Sequence, residues 1–221
     1  MANYQIDPAV LEPYLPFGTE LDLFSNTCYV SLVGFMFQDS RLFGIPIPFH
    51  QSFEEVNLRF YVCSAHEGQL KRGVVFIKEL VPKHAVTFVA NVFYKEHYET
   101  CSMDHQWKFS PDAQHIEYRW KNQKWHSLKI VSDVIPQKLV VGSAEEFFTE
   151  HYLGCTKIHD RLTLEYSVAH DPWMVYDTKE YNIDVDFDAL YGETFAFLNK
   201  VTPDSVFLAE GSGISLQKIR G

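Results

Sequence analysis

The sequence predicts a mainly antiparallel β domain with a few short helices. The main observation is the segment from Glu55 to Val62, which strictly alternates apolar and polar side chains, as a strand with two different faces does. A second is the heavy use of Phe (18) and Tyr (12), which favour sheet surfaces. A third is that most other apolar runs are short and bounded by turn residues. A length of 221 residues fits one domain, so we expect a single domain over residues 1–221.

The charge balance excludes two classes of partner. The chain has 19 basic and 29 acidic residues, a net charge of −10, which repels nucleic acid and anionic membranes. No segment reaches the roughly 18 consecutive apolar residues of a membrane span, and the first ten residues lack the layout of a signal peptide. We therefore expect a cytoplasmic protein with no nucleic-acid or membrane partner, and the sequence leaves its oligomeric state open.

The cysteine pattern agrees with a reducing compartment. Cys28, Cys63, Cys101 and Cys155 are scattered and form no C-x-x-C pair. Cys28 and Cys63 lie inside apolar, strand-like runs, where a free thiol behaves as a small hydrophobic side chain. We predict four reduced cysteines and no disulfide.

β-branched and aromatic runs predict most of the elements. The predicted strands, in chain order, are Thr27–Phe37 (broken by Gly34), Glu55–Cys63, Gly73–Leu80, Ile116–Lys121, Lys124–Ile130, Leu162–Val168, Ser205–Ala209 and Ile214–Ile219. The fourth and fifth are separated by two residues and predict a hairpin, and the last two are predicted to pair with each other. The Pro-rich stretch Gly44–Phe49 and a polar segment around Gly68 predict loops.

Helices are predicted to be few. Ser143 and Glu146 fit a capping box, which opens a short helix that runs to about His151. Asp188–Lys200 has apolar residues at helical spacing and a lysine near its end. Ala85–Tyr94 is ambiguous, because its β-branched residues favour a strand while the preceding Pro82 favours the start of a helix.

The polar side of the alternating segment is the first candidate site. Glu55, Asn57, Arg59 and Tyr61 place a carboxylate, an amide, a guanidinium and a phenol on one strand face, which we call the polar face. Such a row can recognise a small polar molecule if it faces a cavity. It can equally be a structural network whose buried charges satisfy one another.

Familiar catalytic and metal motifs are absent. The chain has no G-x-S-x-G elbow, no P-loop and no H-E-x-x-H motif. His97, Cys101 and His105 are evenly spaced, as ligands of zinc could be, but no fourth ligand is evident. We therefore predict neither a metal nor another cofactor.

Two histidines neighbour carboxylates and are weaker catalytic candidates. His151 lies between Glu150 and Tyr152, and His170 precedes Asp171. A histidine beside a carboxylate can act as an acid or base at neutral pH. The alternative is structural, with His151 at a helix end and His170 at the start of a turn.

Several segments resemble one family along essentially the whole chain. They are, in order, SLVGF (31–35), IPIP (45–48), FEEVNLRFYV (53–62), RGVVFIK (72–78), YKEHY (94–98), TEHYLG (149–154) and LEYSVAHDPW (164–173). Together they resemble the YqjF-like proteins, a bacterial family of unknown function.

The family is grouped structurally with acetoacetate decarboxylase, so the resemblance implies a twisted antiparallel β-barrel with a few peripheral helices around a cavity. It does not extend to the decarboxylase chemistry, which uses a Schiff-base lysine whose pKa a second, adjacent lysine lowers. This chain has no Lys-Lys pair, and Lys95 is followed by Glu96, whose carboxylate would favour the charged ammonium.

The sequence therefore predicts a protein that binds a small anionic or carbonyl-containing molecule in a barrel cavity. The predicted ligand-binding residues are Asn57, Arg59, Tyr61, Tyr98, Glu150 and Tyr166. The alternative is a lyase-type or hydrolase-type enzyme that acts on a small organic acid without a Schiff-base lysine. Its catalytic candidates are Glu55, His151 and His170.

Overall fold

The fold is mainly β, as the sequence predicts. A computed structural model of the chain describes residues 1–42, 45–46, 49–66 and 69–220. Strands make up most of the regular structure of the described residues, and the helices are short.

The secondary structure consists of nineteen strands and a few short helices among the described residues. The strands are β1 (Ala2–Gln5), β2 (Glu20–Leu21), β3 (Tyr29–Phe37), β4 (Arg41–Leu42), β5 (Ile45–Pro46), β6 (Phe53–His66), β7 (Gln69–Val81), β8 (Tyr98–Thr100), β9 (Ser102–Phe109), β10 (Gln114–Asn122), β11 (Lys124–Ser132), β12 (Gln137–Lys138), β13 (Leu153–His159), β14 (Leu162–Ala169), β15 (Met174–Tyr176), β16 (Thr178–Asp184), β17 (Ser205–Val206), β18 (Leu208–Ala209) and β19 (Ser215–Arg220). The α-helices are α1 (Pro8–Leu11), α2 (His84–Val89), α3 (Ala144–Thr149) and α4 (Phe187–Tyr191). The 3-10 helices are Glu12–Tyr14 and Glu193–Lys200, and Ala90–Tyr94 is a π-helix.

The strands form one large sheet and three smaller ones. The large sheet has ten strands in the order β17-β1-β3-β6-β7-β13-β14-β19, with β2 beside β6 and β8 beside β7. A second sheet has the order β16-β11-β10-β9, a third β12-β15-β18, and β4 pairs with β5. Within the described residues no pairing joins the two ends of the large sheet, so the predicted barrel closure is not confirmed.

Strand β6 occupies the centre of the large sheet and buries both of its faces. It pairs antiparallel with β3 on one side and with β7 on the other. Its apolar face, with Val56, Leu58 and Phe60, belongs to the main core. The second sheet covers this face closely, because the Tyr118 ring reaches the space where Gly34 would carry a Cβ atom. Gly34 therefore permits sheet packing without breaking β3.

The opposite face of the large sheet carries a second hydrophobic cluster. Tyr29 and Tyr61 pack against Phe147 and Phe148, which project from α3. Ring-centroid distances between the tyrosines and these phenylalanines are 5.1–5.5 Å, typical of favourable aromatic pairs. The short helix α3 is thus anchored on the same side of the sheet as the polar face.

Most predicted strands are confirmed, with ends that differ by a few residues. The predicted hairpin is formed by β10 and β11, with Asn122 opposite Lys124 and Gln123 at the tip in a left-handed conformation (φ 58°). The ambiguous segment Ala85–Tyr94 is helical. The Pro-rich stretch Gly44–Phe49 is predicted to lack regular structure, but Ile45–Pro46 pairs with β4. Gly44, Ile47 and Pro48 fall outside the described residues, as does Gly68 in the predicted polar loop.

The helix predicted from the capping box begins where expected but is shorter than predicted. The Ser143 hydroxyl accepts a hydrogen bond from the Glu146 backbone N–H at 3.2 Å, as predicted. The Glu146 carboxylate, however, accepts from the Gly142 backbone N–H at 2.7 Å instead of from that of Ser143. The helix ends at Thr149, two residues before His151.

The C-terminal predictions need correction. Asp188–Lys200 is not one helix, because Gly192 adopts φ 95° between α4 and the following 3-10 helix. The two last predicted strands do not pair with each other. Ser205–Ala209 divides into β17 and β18, which pair with β1 and β15, whereas β19 pairs with β14.

The four cysteines are free, as predicted. Cys28 and Cys155 are buried, whereas Cys63 and Cys101 are half-buried. Among the described residues, no helix has both the length and the apolar character that a membrane crossing requires.

Gly154 gives a test of the packing between β13 and β14. A Cβ atom at this position would lie only 2.1 Å from the buried Tyr166 ring. We expect Gly154→Ala to lower the free energy of unfolding by about 1–3 kcal/mol, because overpacking displaces the ring. Urea denaturation measures this change, with Gly213→Ala as the control, since no atom lies within 4 Å of that added methyl group. Equal stability of the two variants would contradict the close packing.

Candidate functional site

The polar face continues from β6 onto the neighbouring strand β7. Asn57 pairs with Glu79 across the two strands, so their side chains share one face of the sheet. A register shift between Leu58 and Arg59 follows directly, and it places Phe76 opposite Arg59. Such an irregularity changes the direction of the side chains beside it. The sheet therefore places the Glu79 carboxylate next to the polar face. The alternation of β6 alone does not reveal this neighbour.

Three glutamates form a buried group at one end of the polar face, which we call the acid cluster. Glu55 comes from β6, Glu79 from β7, and Glu96 from the segment between the π-helix and β8. Their relative exposures are 2%, 2% and 6%. The charge of Glu96 acts on both Glu55 and Glu79, and the charge of Glu55 acts on Glu79. Carboxylates are seldom buried without a paired cation.

Neutral hydrogen-bond donors hold the acid cluster in place. The Asn57 amide nitrogen donates to Glu55 at 3.0 Å, and the Tyr98 hydroxyl donates to the other Glu55 oxygen at 2.9 Å. The Thr156 hydroxyl donates to Glu96 at 2.8 Å. Tyr166 also hydrogen-bonds Glu96.

Burial shifts the protonation of all three glutamates in the same direction. Loss of solvation raises the pKa of Glu55 to about 7, although hydrogen bonds from Asn57 and Tyr98 oppose the shift. Burial likewise raises the pKa of Glu96 to about 7 and that of Glu79 well above its usual range, where the charges of Glu96 and Glu55 add to the effect. The acid cluster therefore holds protons near neutral pH and can exchange them.

The end of the π-helix determines which side chain enters the acid cluster. Lys95 follows the helix in a left-handed conformation (φ 57°) and is exposed, while Glu96 turns inward. The Asn91 side chain fixes the returning chain by two hydrogen bonds to the Tyr98 backbone, at 2.8 and 2.9 Å. The expected pairing of Glu96 with Lys95 is thus corrected, because Glu96 bonds Thr156 in the interior.

Arg59 lies beyond the acid cluster on the polar face and is half-buried. Its Nη2 atom donates to the Phe148 carbonyl, near the end of α3, at 2.9 Å. Its guanidinium lies 5.7 Å from the Tyr61 ring centroid. In the part of the chain that the structure describes, no carboxylate forms an ion pair with Arg59, and its buried Nε atom has no hydrogen-bond partner. The expected approach of Glu150 is not seen, since that carboxylate accepts from Tyr152.

The far end of the polar face is a tightly connected polar network. The Tyr61 hydroxyl bonds Ser31 at 2.7 Å and its ring packs on His151 at 4.8 Å. The Nε2 atom of His151 lies 3.1 Å from Asp22, which also pairs with Arg72 at 2.8 Å. Burial lowers the pKa of His151, and the hydrogen bond to Asp22 opposes that shift.

The remaining sequence candidates lie elsewhere. His170 stacks between Trp173 (4.5 Å) and Tyr152 (4.8 Å), and its Nδ1 atom contacts the Asp171 carbonyl. In the evenly spaced trio, His97 is exposed and His105 pairs with Glu54 on β6 at 2.6 Å. The described residues contain no group of three or more side chains able to hold a metal ion.

Sequence reasoning misses several members of these groups. Glu79 and Glu96 complete the acid cluster, and Asp22 and Arg72 complete the network at the other end. Glu79 lies in a segment whose apolar content suggests only a core strand, and its pairing with Asn57 becomes evident only from strand register. Of the predicted ligand-binding residues, Asn57, Tyr98 and Tyr166 adjoin the acid cluster, whereas Arg59 and Tyr61 lie further along the face.

Two surface depressions lie away from the polar face. The larger, of about 460 Å³, is lined by Gln5, Ile6, Asp7, Val10, Thr27 and Phe197. The smaller, of about 60 Å³, lies on the second sheet and is lined by Gln106, Lys108, His115, Ile116, Glu117 and Lys129. Neither includes a residue of the acid cluster.

The raised pKa of the acid cluster predicts a pH-dependent stability. The folded protein retains protons that the unfolded chain releases above its glutamate pKa of 4.5, so stability falls as pH rises from about 4.5 through 7. We expect Glu79→Gln to reduce this loss between pH 5 and 8 by more than about 1.4 kcal/mol, the equivalent of one pKa unit. Urea denaturation across this pH range tests it. The control is Glu180→Gln, which alters an exposed glutamate; identical pH profiles for all proteins would refute the prediction.

The position of Lys95 predicts that the protein forms no Schiff base with acetoacetate. A nucleophilic lysine is activated by desolvation or by a neighbouring cation, whereas Lys95 is exposed to water and neither of its chain neighbours, Tyr94 and Glu96, is a cation. We expect borohydride treatment in the presence of acetoacetate to leave the protein mass unchanged in mass spectrometry. A reduced adduct on a peptide containing Lys95 would overturn this expectation.

Comparison with solved structures shows an acetoacetate decarboxylase-like fold. The enduracididine biosynthesis enzyme MppR, solved with pyruvate, is similar with a TM-score of 0.66 and 11% identity, over 99% of this chain and 85% of that chain. An acetoacetate decarboxylase-like enzyme from Sphingomonas wittichii RW1 is similar with a TM-score of 0.58 and 12% identity, over 97% and 84% of the two chains. At these identities the likeness concerns the fold alone.

Sequence comparison gives the family. The uncharacterized protein YqjF of Bacillus subtilis (strain 168) is 26% identical over 194 residues, which cover 85% of this chain and 76% of that protein. The profile of the DUF2071 family, described as "uncharacterized conserved protein (COG2071)", matches residues 1–213. The chain therefore belongs to this family of uncharacterized conserved proteins.

Proposed function

We propose that the protein binds a small organic molecule with a carboxylate or carbonyl group at the polar face. The observation that carries this proposal is the burial of Arg59 without a carboxylate partner among the described residues. Its guanidinium is half-buried on the polar face, beyond the acid cluster, and is paired with a backbone carbonyl instead of with a carboxylate of the described residues.

The chemistry of arginine makes an anionic ligand a suitable partner. A guanidinium stays charged at every physiological pH, and removing it from water is costly unless an anion or several acceptors compensate. One carbonyl, at the end of α3, satisfies one of its five N–H groups. A carboxylate can accept two parallel hydrogen bonds from the same group, which fixes both position and orientation.

The surroundings of Arg59 supply the apolar part of such a site. Tyr61 and Phe148 lie beside it, and Tyr29 packs on Phe148 with a centroid distance of 5.1 Å. Ligand sites commonly combine an apolar lining with a few polar groups of this kind. The proposal requires the face to be enclosed, as in the barrel that the family resemblance implies. MppR, which has a similar fold, was solved with pyruvate, a small carboxylate with a carbonyl group.

An acid–base enzyme is the second candidate function, and the acid cluster favours it. Carboxyls with a pKa of about 7, as in Glu55 and Glu96, can donate and accept protons at neutral pH. A small organic acid held by Arg59 would lie on the same sheet face as these groups. Such an enzyme would need no Schiff-base lysine, in agreement with the exposed position of Lys95. His151 is less suited, because its Nε2 atom is engaged by Asp22.

A ligand screen with an arginine variant tests the binding function. We expect at least one of pyruvate, acetoacetate, levulinate or benzoate to raise the melting temperature of the wild-type protein. Ligand at about 100 times its Kd stabilises the folded state by about 2.7 kcal/mol, which corresponds to several degrees for a chain of this size. Arg59→Met should abolish this stabilisation, while the control Arg161→Met, at an exposed arginine, should keep it.

The outcomes separate the candidate functions. If no compound stabilises the wild-type protein, the polar face is a structural network and the binding proposal fails. If a compound stabilises the protein and Arg59→Met equally, the ligand binds elsewhere. Nuclear magnetic resonance of the protein with a stabilising compound distinguishes the enzyme, because only an enzyme yields a product or exchanges the compound's protons with solvent.

A further inference from the structure

Two buried acceptor atoms at the acid cluster have no donor among the described residues. They are Oδ1 of Asn57 and Oε2 of Glu79, and the two residues are 1% and 2% exposed. The Asn57 amide nitrogen donates to Glu55, so its Oδ1 atom points to the other side of the amide. Buried polar atoms almost always have a partner, so two free acceptors on paired residues require an explanation.

When its glutamates are ionised, the acid cluster also has more acceptors than donors. Its acceptors are the carboxyl oxygens of three glutamates and Asn57 Oδ1. Within the described region, the side-chain donors that reach these glutamates are Asn57 Nδ2 and the hydroxyls of Tyr98, Thr156 and Tyr166. No lysine or arginine of this region forms an ion pair with Glu55, Glu79 or Glu96. The site is therefore complementary to a group that brings several N–H donors and a positive charge.

We propose that the natural ligand is a small amino acid, whose ammonium group binds at the acid cluster while its carboxylate binds Arg59. This inference rests on the proposed function, because it uses Arg59 as the anchor for the carboxylate. An ammonium group has three N–H donors and no acceptor, so it can satisfy Asn57 Oδ1 and Glu79 Oε2 together. Charge-assisted hydrogen bonds of this kind are about twice as strong as neutral ones.

The positions of the two anchors suit a molecule with charges at opposite ends. Asn57 and Arg59 are two residues apart on β6, and strand residues advance by about 3.3 Å each. Glu79 pairs with Asn57 and so lies at the acid-cluster end. An oxo acid could use Arg59 but would present only a carbonyl acceptor to the acid cluster, where acceptors are in excess once the glutamates are ionised.

Binding of an ammonium group should be linked to proton release. The titratable and charged groups at the acid-cluster end are Glu55, Glu79, Glu96, Tyr98, Cys155 and Tyr166. Those at the other end are Arg59, the buried N-terminal amino group of Met1 and His151. A cation stabilises the charged form of the glutamates and so lowers their pKa in the complex. With a pKa of about 7 for Glu55 and Glu96 in the free protein, an ammonium ligand must displace protons below neutral pH. The affinity should therefore increase as pH rises from 6 to 8.

Calorimetry with matched compounds tests the inference on the wild-type protein. The probes are glycine, β-alanine, 4-aminobutanoate and 5-aminopentanoate, each compared with the acid that lacks the amine: acetate, propanoate, butanoate and pentanoate. We expect at least one amino acid to bind about tenfold or more tightly than its matched acid at pH 8, the equivalent of one charge-assisted hydrogen bond. Its affinity should fall about tenfold at pH 6 if one proton is displaced.

A charge-neutral variant provides the matched control. Glu79→Gln keeps the size of the side chain and removes one carboxyl, so we expect the preference for the amino acid to fall at least fivefold while binding of the simple acid persists. Glu180→Gln, at an exposed glutamate of β16, should behave as the wild type. The comparison of matched ligands on the wild-type protein does not depend on the folding of either variant.

Failure of this inference and failure of the proposed function give different binding results. Tighter binding of the simple acids or oxo acids than of every amino acid would overturn this inference and leave the proposed function intact. Binding of an amino acid with no dependence on pH between 6 and 8 would place its ammonium group outside the acid cluster and also overturn the inference. If neither kind of compound binds, the inference and the proposed function both fail.

Discussion

The structure depends on one constraint: strand β6 is buried on both faces and paired along both edges. Long antiparallel pairings with β3 and β7 leave it no edge in water, and two hydrophobic clusters cover its faces. Its polar side chains must therefore find partners inside the protein, since an unpaired buried charge is far more costly than an exposed one. The helices and loops above the polar face supply those partners.

The partners divide the polar face into regions of different character. At one end, neutral donors surround three carboxyls, and protonation lessens the cost of burying them. At the other end, Asp22 is held by Arg72 and His151, an arrangement in which opposite charges compensate each other. Arg59 lies between them and contacts the end of α3, where the helix carbonyls favour a cation. The charge of Arg59, in the middle of the polar face, is thus the charge that neighbouring groups compensate least.

The sequence reveals features that arise within one strand and misses features that arise from contacts between distant segments of the chain. The period of two identifies β6 because burial on one face acts within a single strand. The same reasoning finds Asn57 and Arg59, which belong to that pattern. It misses Glu79 and Glu96, whose roles arise from strand register and from the left-handed turn at Lys95. It also joins two helices into one, since helical spacing continues across Gly192 although the backbone does not.

The contact between Gly154 and Tyr166 has an evolutionary consequence. The tyrosine ring occupies the space above a residue without a side chain, and its hydroxyl reaches Glu96 from there. Among relatives with this fold, the residues equivalent to Gly154 and Tyr166 should therefore vary together: a larger residue in place of the glycine should accompany loss of the aromatic ring. Gly154 is thereby a sequence marker for the environment of Glu96, which lies far from it along the chain. The same glycine can be sought in sequences for which no structure exists.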